Sequence, residues 1–360
     1  MKKILFQLTV IFALGAILSS CSGDSNPVMK NATGKPGETI VVIPKNYWKG
    51  AVGDTIFHFL AQPVADLPKD EPMLNVVHIP PEAFSEIFKT GRNILLTKIS
   101  PSVKEPSIKI QRNVWSKPQL IVTVQAPDEK SFVDFFAKRG NDVVSIFVKG
   151  ERDRLMKMYA DRKFKNEAVA SRMEKEHHFT INVPKGFAVS VDTTNFVWIR
   201  YETPNISQDV IAYWYPYTSD STFTKKYLLD KRDSVVKKNV PGPDPGTYMT
   251  TERLIPVLFR AFKLNGNYTA MMRGLWKVHG GFMGGPFVSI STLDPVRGRV
   301  LTLEGFVYAP KMDKRELMRQ MEAMIYSVRF PDQAKNDRIN RMAEMGNDTE
   351  ATPADSASTK

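Results

Sequence analysis

Cysteine is almost absent from this chain: among 360 residues only Cys21 carries a thiol. That excludes an internal disulfide or a cysteine-based metal cluster, so stability has to come from a packed core. Long apolar runs are equally scarce. The one that stands out, Ile4 to Leu18, is about fifteen residues, shorter than the roughly twenty needed to span a bilayer. Histidine is sparse too. His58, His78, His177, His178 and His279 include no pair at the spacing that sets two metal ligands on one helical face, and the adjacent His177 and His178 diverge, so no metal site is expected. No Gly-X-Ser-X-Gly elbow is present for a serine hydrolase, and no glycine-rich loop opens a helix to cradle phosphate. No cofactor is expected.

The first twenty residues have the order of a secretory signal: Lys2 and Lys3, the short apolar run, then Ser19 and Ser20 as small residues before a cleavage point. With Cys21 placed directly after them, the segment resembles the lipobox of bacterial lipoproteins. That resemblance implies diacylglyceryl attachment at Cys21, cleavage before it and acylation of its amine. Each buried methylene contributes about 0.8 kcal/mol, so two or three acyl chains hold a protein to a membrane almost permanently. The expected partner is therefore a membrane, engaged through the lipid anchor.

The formal charge is +12, or about +10 once Lys2 and Lys3 leave with the signal. Beyond the cytoplasm the available polyanions are lipid phosphates, lipopolysaccharide and cell-wall groups rather than nucleic acid. The basic residues are dispersed, which reads as a solvated surface, and no nucleic-acid partner is expected.

The mature chain divides by composition and periodicity. Residues 21–38 are small and polar, a flexible tether, and residues 331–360 lack the large apolar groups of a core, a disordered tail. Between them the patterning predicts two α+β domains, 39–176 and 177–330, with largely antiparallel sheets flanked by helices. In the first, strands are expected at Thr39–Ile43, Leu74–Ile79, Asn93–Ile99, Ile108–Trp115 and Gln119–Gln125. A long helical region follows Asp128, interrupted near Gly140 or Gly150, and closes the domain. In the second, Phe179–Val183, Phe187–Val191, Phe196–Tyr201 and Val210–Tyr217 are closely spaced strands. A helix over Thr222–Lys238, four further strands and a last helix over Lys314–Ser327 complete it. Val183-Pro184-Lys185 echoes Ile43-Pro44-Lys45, which suggests a distant duplication.

With the lipobox, the Val183 to Phe187 turn, the aromatic strand around Trp214 and the late helix ending in Ser327, Arg329 and Phe330, the chain resembles a domain-of-unknown-function family of Bacteroidota lipoproteins. The resemblance covers about Thr39 to Phe330 and brings no catalytic residue with it. Such lipoproteins face the periplasm or are exported to the cell surface. The export signal resembles an acidic cluster after the cysteine, and only Asp24 stands there, which favours the periplasmic side of the outer membrane.

Several groups could bind a protein or glycan of the envelope. Tyr213, Tyr215 and Tyr217 share one face of a strand, with Trp214 on the other, and a tyrosine row can stack on sugar rings. Phe282 and Met283 sit among Gly280, Gly281, Gly284 and Gly285, where missing side chains could let a partner's backbone approach. The stiff loop Pro241 to Gly246 could border the same surface. Arg200, Arg260 and Arg273 could supply anion contacts if they converge. A competing class is a glycan or peptidoglycan hydrolase using Glu202, Glu252 and Glu304, which lie in or beside strands. The absence of a recognisable nucleophile or base favours the non-catalytic binding or structural module.

Overall fold

The computed structural model describes residues 29–333. Cys21, the signal preceding it and the greater part of the expected tail lie outside the described residues. The architecture is α+β in two halves. Glu38–Val42 (β2) opens the first sheet, preceded by the short Lys30–Asn31 (β1). Helices Lys45–Trp48 (α1) and Ala51–Leu60 (α2) lead to Asn75–Ile79 (β3), and helix Glu86–Lys89 (α3) leads to Asn93–Ile99 (β4). Ser107–Arg112 (β5), Ser116–Lys117 (β6) and Leu120–Ala126 (β7) complete the strands, and the sheet order is β3-β2-β4-β7-β5. The expected tether is shorter than its composition suggests, because β1 pairs in parallel with β6.

This sheet is mixed rather than antiparallel. The pairs β2–β3, β2–β4 and β4–β7 are parallel, and only β5 runs against its neighbour. The helices between β2, β3 and β4 carry the chain back to the same end of the sheet, which parallel pairing requires. Both faces are covered as a result: Val41 and Ile43 join one apolar cluster, Ile40 and Val42 the other. Strands of this kind are apolar on both faces.

Glu129–Ala160 (α4) is continuous through both glycines that were expected to interrupt it. Asp128 caps it, its carboxylate accepting from the Ser131 N–H at 2.8 Å. The glycines serve packing instead. A Cβ on Gly140 would lie 2.5 Å from the Phe59 ring, and one on Gly150 would lie 2.8 Å from Leu120. The helix is about 48 Å long. Its first part covers the N-terminal sheet through Phe132, Phe136, Val143 and Phe147, and its last turns reach the other half through Leu155 and Tyr159.

Glu167–His177 (α5) belongs to the C-terminal core, since Val169 and Met173 pack there. The strands that follow are Ala188–Thr193 (β8), Phe196–Glu202 (β9) and Ser207–Pro216 (β10), then helix Lys225–Asn239 (α6). Tyr248–Thr251 (β11), Leu258–Leu264 (β12), Asn267–His279 (β13), Gly284–Asp294 (β14) and Arg299–Tyr308 (β15) precede helix Arg315–Tyr326 (α7). The sheet is antiparallel throughout, in the order β11-β13-β14-β15-β10-β9-β8, with β12 also paired to β13. Alternation sorts the side chains to two faces. Val197, Ile199, Val210, Leu301 and Leu303 share one face with α5 and α7, while Trp198, Ile211, Tyr213, Phe287 and Phe306 lie on the other, part of which α6 covers. Phe179–Val183 is buried as expected, yet it is not a sheet strand: Thr180 exchanges two backbone hydrogen bonds with Arg329 instead. The two halves have different strand orders and pairing, so the Pro-Lys echo is local.

The halves are joined by polar contacts. Glu71, buried, accepts from the Lys314 and Arg315 N–H groups at 2.7 and 2.8 Å, closing the start of α7 from the other half. Arg319 donates to the Met73 carbonyl. Arg273 pairs with Asp66 at 2.8 Å, and Arg152 with Glu322 at 3.0 Å. Among the described residues no helix is long and apolar enough to cross a membrane.

Candidate functional site

Helix α6 covers only part of its face of the C-terminal sheet. Past its end at Asn239, the uncovered part forms a cavity of ≈ 800 Å³. The floor comes from alternating strand positions: Trp198 and Arg200 on β9, Asp209 on β10, Trp276 and Val278 on β13, Phe306 and Tyr308 on β15. Three loops make the rim: 203–206 between β9 and β10, 240–243 after α6, and 310–312 after β15. Pro204, Pro241, Pro243 and Pro310 stiffen them. Met249, Met283 and Val240 complete an apolar wall.

The polar groups lie together. Asp209 is buried and its carboxylate accepts from Trp198 Nε1 and Arg200 Nε, both at 2.8 Å, and from the Ser207 hydroxyl. Burial raises its pKa, and the Ser207, Arg200 and Trp198 donors offset part of that. The Arg200 guanidinium stacks over the Trp198 ring, 4.5 Å from its centroid, and reaches Glu202 at the rim. With Lys311, the charged lining is two cations and two anions, so the cavity has no strong preference for either sign.

One donor in the wall is unpaired. Trp276 is 3% exposed and its indole N–H has no acceptor within the protein. A buried donor left unmade costs about 1–3 kcal/mol. Next to it, a Cβ on Gly285 would lie 3.1 Å from that nitrogen and 2.1 Å from the Val307 carbonyl oxygen. This glycine leaves room for the adjacent strand and the indole, not for the backbone of a partner.

The residues singled out from sequence do not meet in one place. Tyr213, Tyr215 and Tyr217 do share a face, with Trp214 opposite, but that face lies beneath α6 and the short helix Asp220–Phe223. Tyr213 is buried, Tyr215 packs against Tyr227 with Lys231 over its ring, and Tyr217 donates to Asp220. They are packing residues rather than an open stacking platform. Arg273 is committed to Asp66 at the joint between halves, Arg200 to Asp209, and Arg260 lies over Phe262, so the three arginines do not converge. Phe282 is fully exposed at the β13–β14 turn, whereas Met283 beside it lines the cavity. Pro241, Gly242 and Pro243 line it as well, so the stiff loop and Met283 do border one surface. Cys21 lies outside the described residues.

The three carboxylates of the hydrolase reading are dispersed in role. Glu304 is 0% exposed and bonds Arg232 through both oxygens, at 2.7 and 2.6 Å. Burial works against the Arg232 charge and the Glu304 carboxylate outweighs it, so the guanidinium's pKa is raised. Glu252 accepts from Lys277 and the Leu254 N–H, and Glu202 stands exposed on the cavity rim beside Arg200. Elsewhere Glu176, His177 and Asp192 bring ligand atoms within 4.8 Å of one another. Arg172 pairs with both carboxylates, at 3.2 and 2.7 Å, and its fixed positive charge makes this an ion-pair cluster.

Trp198, Asp209, Trp276 and Phe306 did not stand out in the sequence. The signal available was the alternation in β9, where Phe196, Trp198, Arg200 and Glu202 fall on one face. What it lacked was the point at which α6 stops.

These are the two halves of a chain built from domains of unknown function. Residues 32–160 match the family described as Domain of unknown function (DUF8532), and residues 165–327 match Domain of unknown function (DUF4837). Each half thus resembles a different family, and the two matches adjoin between α4 and α5. No curated protein matches it. Similar solved structures include the Ran-binding protein Mog1p of Saccharomyces cerevisiae, at 9% identity over 42% of this chain and 90% of that one, TM-score 0.30. Another is LpqN of Mycobacterium tuberculosis, described as involved in cell envelope biogenesis, at 16% identity over 42% and 81%, TM-score 0.27. A Bacteroides thetaiotaomicron protein matches at 9% identity over 42% and 45%, TM-score 0.23.

Proposed function

We propose that the chain is a lipid-anchored envelope protein of a Bacteroidota bacterium, held on the periplasmic side of the outer membrane, whose C-terminal half is a non-catalytic binding module for an envelope component. The cavity bounded by Trp198, Trp276 and Phe306 carries this reading. Its volume lies within the roughly 300–1,000 Å³ of ligand sites, and its polar groups converge at one end. The buried acid of the lining, Asp209, already accepts three hydrogen bonds, which spends it on holding the site's own residues. The anchor rests on the order of Lys2, Lys3, the apolar run and Cys21.

Two measurements test the proposal. Protein purified from the envelope is expected to release a small molecule identifiable by mass spectrometry, and a Trp198→Ala variant to release none; identical extracts from both would refute the binding site. Replacing Cys21 by Ala is expected to move the protein from the membrane to the soluble or precursor fraction. Processed, membrane-bound C21A protein would refute the anchor.

A further inference from the structure

We infer that the ligand of this cavity is the acyl chain of an envelope amphiphile. The inference rests on the binding reading above and narrows it to one chemical class. Trp198, Trp276, Phe306 and Val278 are buried, and Met249 and Met283 add flexible thioethers that adapt to a bending chain. Such a wall rewards apolar contact and offers few hydrogen bonds.

A saccharide needs the opposite arrangement, because its hydroxyls must each find a partner when water is removed. Here the polar groups are gathered at one end and largely spent on one another: Asp209 takes the Trp198 and Arg200 donors and the Ser207 hydroxyl. Free fatty acids, which carry a full negative charge, suit less well a lining of two positive and two negative charges, in which both carboxylates bond Arg200 and Lys311 stands at the rim. A chain with an uncharged or zwitterionic head suits this balance.

The acyl chain would lie along the Trp276, Val278 and Met283 wall, and its head would emerge between Glu202 and Lys311 at the rim.

The test uses the protein lacking its first twenty-one residues, which retains every described residue, so that its own lipid does not compete. Tryptophan fluorescence is followed on titration with lysophosphatidylcholine monomers of increasing saturated chain length. Affinity is expected to rise roughly fourfold per added methylene until the cavity is full. Met283→Asp, at the half-exposed hairpin and tolerant of a polar side chain for folding, is expected to weaken binding at every chain length. Affinity independent of chain length, or saturable binding of the N-acetylglucosamine–N-acetylmuramic acid disaccharide in place of the lipid, would overturn the acyl assignment and leave the binding module standing. If neither probe binds and envelope extracts of wild type and Trp198→Ala are identical, both readings fall together.

Discussion

Two regions of one sheet face, supplied by the same strands, have opposite fates. Beneath α6, Glu304 of β15 meets Arg232 in a bidentate pair, Thr251 accepts from Arg232 at 2.8 Å, and the guanidinium lies 3.9 Å from the Phe287 ring centroid. Every charge there has a partner inside the protein. Beyond the end of α6, Phe306, two residues along β15 from Glu304, stands with Trp198 and Trp276 around open space, and an indole N–H is unpaired. A helix of fifteen residues is too short to cover the face, and the loop following it curves around the gap instead of filling it. The difference lies in coverage, because residues of the same kind form a core where a helix covers them and a site where it does not.

The largest test of that contrast removes the covered pair. Arg232→Ala leaves Glu304 charged and buried, and is expected to destabilise the fold by about 3–5 kcal/mol in urea unfolding. A double Arg232→Met, Glu304→Leu variant is expected to recover most of that, since apolar replacement of both partners removes the stranded charge. If the single variant unfolds at the wild-type midpoint, the covered region is not the dry core described.

On the open side the cost is smaller. Asp209→Ala strands the Trp198 and Arg200 donors, with an expected loss of about 1–3 kcal/mol together with weaker ligand binding. A binding change with no stability change would mean that Asp209 touches the ligand directly. Alkaline titration then separates dry from wet. Burial raises the pKa of Tyr213 and Tyr215, with the Glu304 charge adding to the effect at Tyr213. A tyrosine raised in the folded state contributes stability that is full below its ordinary value near 10 and is lost as pH climbs through the folded value. Phenolate absorbance should therefore show these two ionising late, together with alkaline unfolding; early, reversible ionisation would show that water reaches beneath α6. Last and least, Phe282→Ser is expected to change stability by less than about 0.5 kcal/mol, because the ring touches solvent on all sides.

Alternation in β9 and β10 was readable from the residues alone, and it correctly placed Tyr213, Tyr215 and Tyr217 on one face and Trp214 on the other. Periodicity reports which face a side chain joins and is silent on what lies above it, so the tyrosine row looked like a platform when it is a floor under α6. The parallel pairing within the mixed N-terminal sheet was missed for a related reason. Val41 and Ile43 face one cluster and Ile40 and Val42 another, a run apolar on both sides that serves either pairing, even with helices expected over 47–60 and 82–89. Gly140 and Gly150 misled because glycine weakens an isolated helix, whereas here Phe59 and Leu120 fill the space it leaves. Glu71, which closes a helix more than two hundred residues away, left no local trace at all.

That last contact governs how the halves can be separated. The two family matches adjoin between residues 160 and 165, yet a cut there would deprive α7 of the acid that finishes its opening turn, and would turn Arg315 and Arg319 loose from the Pro72 and Met73 carbonyls. Because α7 is the last of the named elements in chain order, a polypeptide that emerges amino end first keeps Glu71 waiting for its helix until almost all the described residues have arrived. The seam is drawn early in the chain and fastened late.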